Sequence, residues 1–251
     1  MSLRRSVVEP FFLALSFLTR LPVDSSHTAS ESFPRSLFFF PVVGLLLGAI
    51  LGAVAWLVRG LPASLLWAAL LVALLAAITG ALHLDGVADF FDALGGGRGD
   101  ANRMLEIMRD SRIGAHGATA ICLLVVAKVN AFDYALAHFD LIVWLLLPTV
   151  SRTAVVPVIA FFPVARQQGL AKTFHAAKGG TPATVVALLL TALVYLTAVD
   201  FILPLFVAFA VALVIAFWAK RRLGGLTGDI YGTSIEFSEL AFIAAWIALR
   251  R

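Results

Sequence analysis

The residues best suited to chemistry are acids in the segment 83–117. Asp85, Asp89 and Asp92 are four and three residues apart, which places them within about 60° of arc on one face of a helix. Three carboxylates this close repel one another unless a cation lies between them. Oxygen ligands suit Mg²⁺ better than zinc, which prefers cysteine and histidine. The spacing therefore predicts a site for a divalent cation.

A second acidic stretch follows a glycine-rich turn. The sequence predicts a helix that begins at Asp100 as its N-cap and ends near Gly114, with Arg103, Glu106 and Asp110 on one face. If the two helices oppose their acidic faces, five carboxylates converge and can hold one or two metal ions. Such an arrangement stabilises both the attacking and the leaving oxygen in phosphoryl displacement. The alternative is an exposed helix held by surface ion pairs.

Cations and glycines elsewhere are candidates for binding phosphate. Arg152 falls within an apolar run, where a guanidinium that clamps phosphate is the functional interpretation. Lys128 lies in another apolar run, and the alternatives there are a functional group or an ion pair with an acid on a neighbouring helix. Lys220 and Arg221 are equally consistent with a cytoplasmic anchor for a membrane helix. The candidates for substrate binding are Arg103, Arg109, Arg112, His116, Lys220, Arg221, Gly225 and Asp229.

The elements that must position these residues are membrane-spanning helices. Of the 251 residues, 61% are hydrophobic and 14% are charged, against about 45–50% and about 25% in soluble domains. Backbone groups in lipid must be hydrogen-bonded within their own segment, so the apolar runs predict helices. We expect one all-α membrane domain over residues 1–251 with six to seven spans, at 37–57, 63–82, 118–137, 141–162, 183–199, 201–218 and 235–249. The last of these is short enough to tilt or re-enter.

Lysines and arginines indicate the orientation of the bundle. Fourteen of them fall in the segments 1–36, 83–117, 163–182 and 219–234, and three fall in the segments on the other side. The positive-inside rule then places the acidic segment 83–117 on the cytoplasmic face. The segment 1–36 is predicted to be interfacial, with a short helix over 7–19. The net charge of +4 comes with no nucleic-acid-binding motif, so no nucleic-acid partner is expected.

Several stretches together resemble the cobalamin synthase family, the adenosylcobinamide-GDP ribazoletransferases. The most specific are HLDGVAD at 83–89 and RMLEIMRDSRIGAHG at 103–117. Further similarity lies in LSFLTRLPV at 15–23, FPVVGLLLGAI at 40–50, SR at 151–152, LGGLTGD at 223–229 and IEFSEL at 235–240. The resemblance covers nearly the whole chain.

This resemblance implies a reaction and a set of roles. The family joins adenosylcobinamide-GDP to α-ribazole or its 5′-phosphate, releases GMP, depends on Mg²⁺ and sits in the bacterial inner membrane. We expect Asp85, Asp89, Asp92, Glu106 and Asp110 to bind metal, and Asp89, Asp110 and Arg152 to be catalytic. The 5′-hydroxyl of α-ribazole is expected to attack the phosphorus attached to cobinamide. Membrane lipid, a second copy of the chain and other late enzymes of the pathway are the expected partners.

Two other functions fit part of the pattern. A CDP-alcohol phosphotransferase that makes a lipid also spreads aspartates over two membrane helices, but it requires arginine where this chain has Asp89. A transporter for cations or corrinoids requires acids near the bilayer midplane on several spans. The acids here cluster at one predicted interface, which favours the enzyme.

Overall fold

The computed structural model describes residues 7–22, 32–165, 185, 189 and 199–250. Within those ranges the regular elements are helices, and the one strand-like feature is an isolated bridge between Val164 and Leu226. The helices are, in chain order, α1 (Glu9–Leu18), α2 (Ser32–Ser36), α3 (Phe40–Val58), α4 (Ser64–Thr79), α5 (Leu82–Gly96), α6 (Ala101–Ile107), α7 (Ala115–Ala137), α8 (Leu141–Phe161), α9 (Ile202–Leu223) and α10 (Gly228–Leu249). The predicted all-α class is confirmed.

The described helices account for most of the predicted spans. Five are long and apolar enough to cross a membrane, and a sixth results if α4 and α5, which are bent by 92°, form one span. The spans predicted at 37–57, 118–137, 141–162 and 201–218 correspond to α3, α7, α8 and α9. The span predicted at 63–82 is the 16-residue helix α4, and the span predicted at 183–199 lies outside the described residues. The chain is therefore a multi-pass membrane protein.

The last helix differs from its prediction. It begins at Gly228 and runs for 22 residues to Leu249, whereas the sequence predicted a short span at 235–249. The acids Glu236 and Glu239 interrupt the apolar pattern near the predicted start. Both are nevertheless buried in the bundle, at 4% and 0% exposure, because cations on other helices pair with them. The helix is long enough to span the membrane fully.

Small residues on α3 allow it to pack directly on α8. Gly44 and Gly48 lie one turn apart, and a Cβ atom added to Gly48 would lie 2.5 Å from the carbonyl oxygen of Leu145. Close backbone approach through glycines is a common way for helices to associate in lipid, where apolar burial provides no driving force between them. Since α8 also contacts α9 and α10, it forms the centre of the bundle.

Most of the candidate residues gather at one end of this bundle, whereas Arg152 lies in its interior. At that end of the bundle, the end of α8 meets the loop between α9 and α10, with the Ala165 amide donating to the Leu226 carbonyl at 2.9 Å. The opposite end is joined by an ion pair between Arg250 and Asp140 at 2.8 Å. The segment 80–117 and the loop 224–227 therefore share the end opposite to Arg250, which is the arrangement that the charge pattern predicted.

Candidate active site

A close contact between α5 and α10 builds the centre of the site. A Cβ atom added to Gly86 would lie 2.8 Å from the carbonyl oxygen of Asp229, and one added to Gly232 would lie 3.1 Å from the Cα atom of His83. Any larger residue at Gly86 would push the two backbones apart. The contact places Asp85 of α5 and Asp229 of α10 on the same cleft.

This cleft has a volume of about 250 Å³. Asp85 is exposed at its edge and Asp229 is half-buried, with the Thr227 hydroxyl donating to Asp229 Oδ2 at 3.0 Å. Two carboxylates on one concave surface give it a negative potential, which attracts cations and hydroxyl donors. Its lining residues are Phe17, Leu82, His83, Asp85, Gly228, Asp229, Tyr231, Gly232 and Ile235.

Asp92 has a structural partner. The residue is 9% exposed, and its carboxylate accepts hydrogen bonds from the Gly114 amide at 2.6 Å and the Gly117 amide at 2.8 Å. These amides lie at the start of α7, where backbone N–H groups have no partner within the helix and the helix dipole favours a negative charge. Asp92 therefore fixes the start of α7 against α5.

The second acidic helix is shorter than predicted. Asp100 caps α6 as expected, since its carboxylate accepts from the amides of Asn102 and Arg103. However, α6 ends at Ile107, so Asp110 does not continue its face, and Gly114 caps the start of α7 instead of ending α6. The chain leaves the helix because Asp110 forms local hydrogen bonds with the backbone and side chain two residues further on.

The acids of this segment pair with neighbouring arginines. Glu106 binds Arg103 at 2.7 Å, with both side chains more than half exposed. Asp110 Oδ2 accepts from Arg112 Nη2 at 2.6 Å, and Oδ1 accepts from Nε at 2.9 Å. Hydrogen bonds from the Arg112 side chain and amide lower the pKa of Asp110 to about 2. The residues 103–112 therefore form exposed ion pairs, which was the alternative predicted for the second acidic helix.

The structure does not bring the five predicted metal ligands together. In the described ranges, no group of three or more histidine, cysteine, aspartate or glutamate side chains is arranged to hold a metal ion. Asp85 lines the cleft and Asp89 lies half-buried one turn further along α5, while Asp92 caps α7. The two remaining acids bind arginines at the surface.

Arg152 belongs to an ion network inside the bundle. It is fully buried, pairs with Glu239 of α10, and donates to the Ser151 hydroxyl at 2.9 Å. Lys128 of α7 binds Glu236 at 2.5 Å and Glu239 at 2.6 Å. For Lys128 the predicted alternative of a pair with an acid on a neighbouring helix is confirmed. Arg152 is not brought together with Arg109 and Arg112, which are exposed at the surface.

The other predicted substrate-binding residues occupy two places. His116 is exposed and packs over Gly95, where a Cβ atom would lie 2.6 Å from the imidazole ring. Lys220 and Arg221 are exposed in the last turn of α9. Gly225 is buried, and a Cβ atom there would lie 2.5 Å from the backbone of 164–165. Gly225 therefore allows the loop between α9 and α10 to pack on the end of α8.

Two buried polar residues of the cleft were not among the predicted site residues. His83 and Tyr231 are 3% and 2% exposed, and neither the two ring nitrogens nor the phenol oxygen has a hydrogen-bond partner in the described part of the chain. Their sequence positions offered one signal, since His83 and Tyr231 each lie two residues from a predicted site acid. Their burial is a tertiary property that the sequence pattern does not reveal.

Comparison with known proteins identifies the family. A family model described as cobalamin-5-phosphate synthase matches residues 10–247. The chain belongs to this family. Adenosylcobinamide-GDP ribazoletransferase of Syntrophobacter fumaroxidans is 43% identical over 249 residues, covering 94% of this chain and 96% of the relative. The proteins of that name from Desulfitobacterium hafniense and Escherichia coli strain K12 are 38% and 36% identical, each over more than nine-tenths of both chains. No solved structure matches the chain.

Membership of the cobalamin-5-phosphate synthase family makes the chain a membrane-embedded transferase of cobalamin biosynthesis. The matched range includes every residue that lines the cleft, from Phe17 of α1 to Ile235 of α10.

Proposed function

We propose that the chain joins adenosylcobinamide-GDP to α-ribazole, or to α-ribazole 5′-phosphate, and releases GMP. The product is adenosylcobalamin or its 5′-phosphate. The observation that carries the proposal is the match of residues 10–247 to the family, together with relatives of that activity at 36–43% identity. The acidic cleft at one end of a membrane bundle supports it, because it offers polar groups for a hydroxyl-bearing substrate at a surface that water-soluble nucleotides can reach.

The attacking group is a ribose hydroxyl other than the one at the 5′ position. A product that carries a 5-phosphate, as the family description states, has no free 5′-hydroxyl in its acceptor. The expectation that the 5′-hydroxyl attacks is therefore wrong for the phosphorylated acceptor. In the reaction, a bond forms between a secondary ribose oxygen and the phosphorus attached to cobinamide. The bond from that phosphorus to the GMP oxygen breaks, and the hydroxyl proton passes to a base.

Asp89 is better suited than Asp110 to accept that proton. A carboxylate whose pKa is about 2 and whose oxygens are occupied by Arg112 is a weak base. Asp89 lies one turn from Asp85, the acid at the cleft. We assign phosphate binding to the exposed Arg109, and to the cations at the end of α9, since guanidinium and ammonium groups neutralise a diphosphate. Arg152 supports the site from the interior through Glu239.

Mg²⁺ is the cofactor that we propose for this site. Magnesium is usually bound through one or two carboxylates and by the phosphates of the substrate, and it keeps several waters. The exposed carboxylate of Asp85, with Asp89 one turn away, fits such a site without a cluster of three or more protein ligands. Bound there, the ion would neutralise the charge of the diphosphate. Glu106 and Asp110 would have to leave their arginines before they could add further ligands.

The location follows from the charge pattern. We propose that the protein is in the bacterial inner membrane with the cleft on the cytoplasmic side, because fourteen lysines and arginines fall in the segments assigned to that side. A second copy of the chain and other late enzymes of the cobalamin pathway are proposed partners.

The test is GMP release by purified protein in lipid vesicles. We expect release that requires both adenosylcobinamide-GDP and α-ribazole, that stops with a chelator, and that returns when Mg²⁺ is added. Asp85→Asn should abolish release. Asp200→Asn makes the same chemical change at an exposed acid before α9, and it should keep the rate of the unmodified protein. A normal rate in Asp85→Asn would contradict the assigned role of this carboxylate.

The same vesicles separate the transferase from a transporter. A transporter would move corrinoid or cation across the membrane without forming GMP. Uptake that proceeds in the absence of α-ribazole, with no GMP detected, would replace the proposed function.

A further inference from the structure

The cleft between α5 and α10 contains buried polar groups that have no hydrogen-bond partner among the described residues. Both ring nitrogens of His83 and the hydroxyl of Tyr231 are buried at the cleft and find no partner in the part of the chain that the structure describes. Buried polar groups in folded proteins are almost always hydrogen-bonded, so three unpaired atoms at one cavity need an explanation. A ligand that brings its own donors and acceptors into the cleft provides it.

The charge of the cleft selects between the two substrates. Its acidic side chains are Asp85 and Asp229, and none of the described residues that line it is a lysine or arginine. The diphosphate of the donor would be repelled there, whereas the ribose hydroxyls of the acceptor would find acceptors, and a 5′-phosphate on the acceptor would point out of the cleft. Three cations that can bind a diphosphate lie in the last turn of α9, where the Arg222 guanidinium approaches Gly99 of the loop between α5 and α6.

The size of the cleft also favours the acceptor over the donor. Phe17, Leu82 and Ile235 give it apolar walls, and its volume is about 250 Å³. Sites for drug-sized ligands are about 300–1,000 Å³, so the cleft has room for one aromatic base and its ribose but not for a corrin ring. We infer that this cleft is the subsite for the nucleoside acceptor, α-ribazole, and that His83 and Tyr231 hydrogen-bond it while the donor's diphosphate lies outside, beyond Asp85. This inference rests on the proposed function.

Gly228 offers a way to fill the cleft without disturbing the fold. It lines the cleft, and a Cβ atom added to it would meet no described atom within 4 Å. Gly228→Ala and Gly228→Leu should therefore fold normally and progressively occupy the space of the acceptor. One methylene in a binding pocket changes discrimination by about 10–200-fold, so Gly228→Leu should raise the KM for α-ribazole at least about tenfold. The KM for adenosylcobinamide-GDP should change less than about twofold.

Tyr231→Phe tests the hydrogen bond itself. It removes one hydroxyl and keeps the ring, and the loss of one hydrogen bond to the acceptor should raise the KM for α-ribazole by about threefold to tenfold. Tyr134→Phe is the matched control, because Tyr134 lies on α7 and stacks on His138 at 4.1 Å, away from the cleft residues. It should leave both KM values unchanged.

The outcomes distinguish this inference from the proposed function. If the unmodified protein releases no GMP from the two substrates, the proposed function itself fails. If it releases GMP, but Gly228→Leu and Tyr231→Phe change the KM of the donor and leave that of α-ribazole, the subsite assignment is overturned while the function stands. Calorimetric titration with α-ribazole alone gives a readout without turnover. We expect binding to the unmodified protein and at least about tenfold weaker binding to Gly228→Leu, and equal affinities would overturn the inference.

Discussion

Replacing Asp92 by alanine should destabilise the protein, whereas the same change at Asp85 should remove activity alone. The two aspartates lie on one helix, two turns apart, and their spacing predicted the same metal-binding role for both. In the structure Asp92 is 9% exposed and holds two backbone amides, while Asp85 is exposed at the cleft. Measurements of stability and of activity on the two alanine variants should therefore distinguish the role of Asp92 from that of Asp85.

The loss of stability expected in Asp92→Ala follows from the two hydrogen bonds that the carboxylate accepts. Hydrogen bonds to a charged group contribute about 1.5–3 kcal/mol each to stability. The carboxylate accepts two, at 2.6 and 2.8 Å, and we take the lower end because water can enter the space left by alanine. Asp92→Ala should then cost about 3 kcal/mol. At about 2–4 °C per kcal/mol for a chain of this size, the melting temperature should fall by about 6–12 °C.

The assay is thermal unfolding in detergent, with GMP release measured on the same preparations. Asp85→Ala should stay within about 2 °C of the unmodified protein, since exposed substitutions usually change stability by less than about 0.5 kcal/mol, and it should release no GMP. A melting temperature for Asp92→Ala equal to that of the unmodified protein would refute the capping role. It would return Asp92 to the candidate metal ligands.

Three further predictions concern the bundle and the surface. Gly48→Leu should prevent α3 from packing on α8, because even a Cβ atom there meets the α8 backbone at 2.5 Å, and the yield of folded protein measured by size exclusion should fall severely. Lys128→Met should lower stability by about 3–5 kcal/mol because Glu236 keeps a buried charge without its cation, and chemical denaturation measures this. The ion pair between Asp110 and Arg112 lowers the pKa of Asp110 from 3.8 to about 2. Its stabilisation should therefore be complete above pH 4 and vanish as the pH falls through 2, so unfolding curves of Asp110→Asn and the unmodified protein should converge at low pH.

The sequence predicted the helices well where they are uniformly apolar. α3, α7, α8 and α9 are long hydrophobic runs, and lipid requires such runs to satisfy their backbone groups as helices. At α10 it predicted a span at 235–249, which includes the acids Glu236 and Glu239, but it missed the first turns from Gly228 because residues 228–234 are mostly polar or glycine. Only the positions of Lys128 and Arg152 on other helices show that these acids are neutralised inside the bundle.

The sequence indicated which acidic residues belong to the candidate site, but it did not indicate how the fold arranges them. Spacing on α5 correctly placed three aspartates on one helix, and one of them, Asp85, lines the cleft. Spacing could not show that Asp92 turns to the start of α7, or that α6 ends before Asp110. Each of these depends on a partner far along the chain or on a local turn. The burial of His83 and Tyr231 could not be predicted for the same reason, since it is set by the contact between α5 and α10.

The buried ion network has a consequence for how the protein enters its membrane. In the described residues it joins one cation on α7 and one on α8 to two carboxylates on α10. A charged side chain at the centre of an isolated helix costs about 2.5–3.5 kcal/mol on insertion. Because α10 is synthesised after α7 and α8, those two helices carry uncompensated charges in lipid until its acids are inserted. Ribosome-bound chains that end before α10 should therefore be held by the insertion machinery or degraded, and the insertion of α10 completes the ion network.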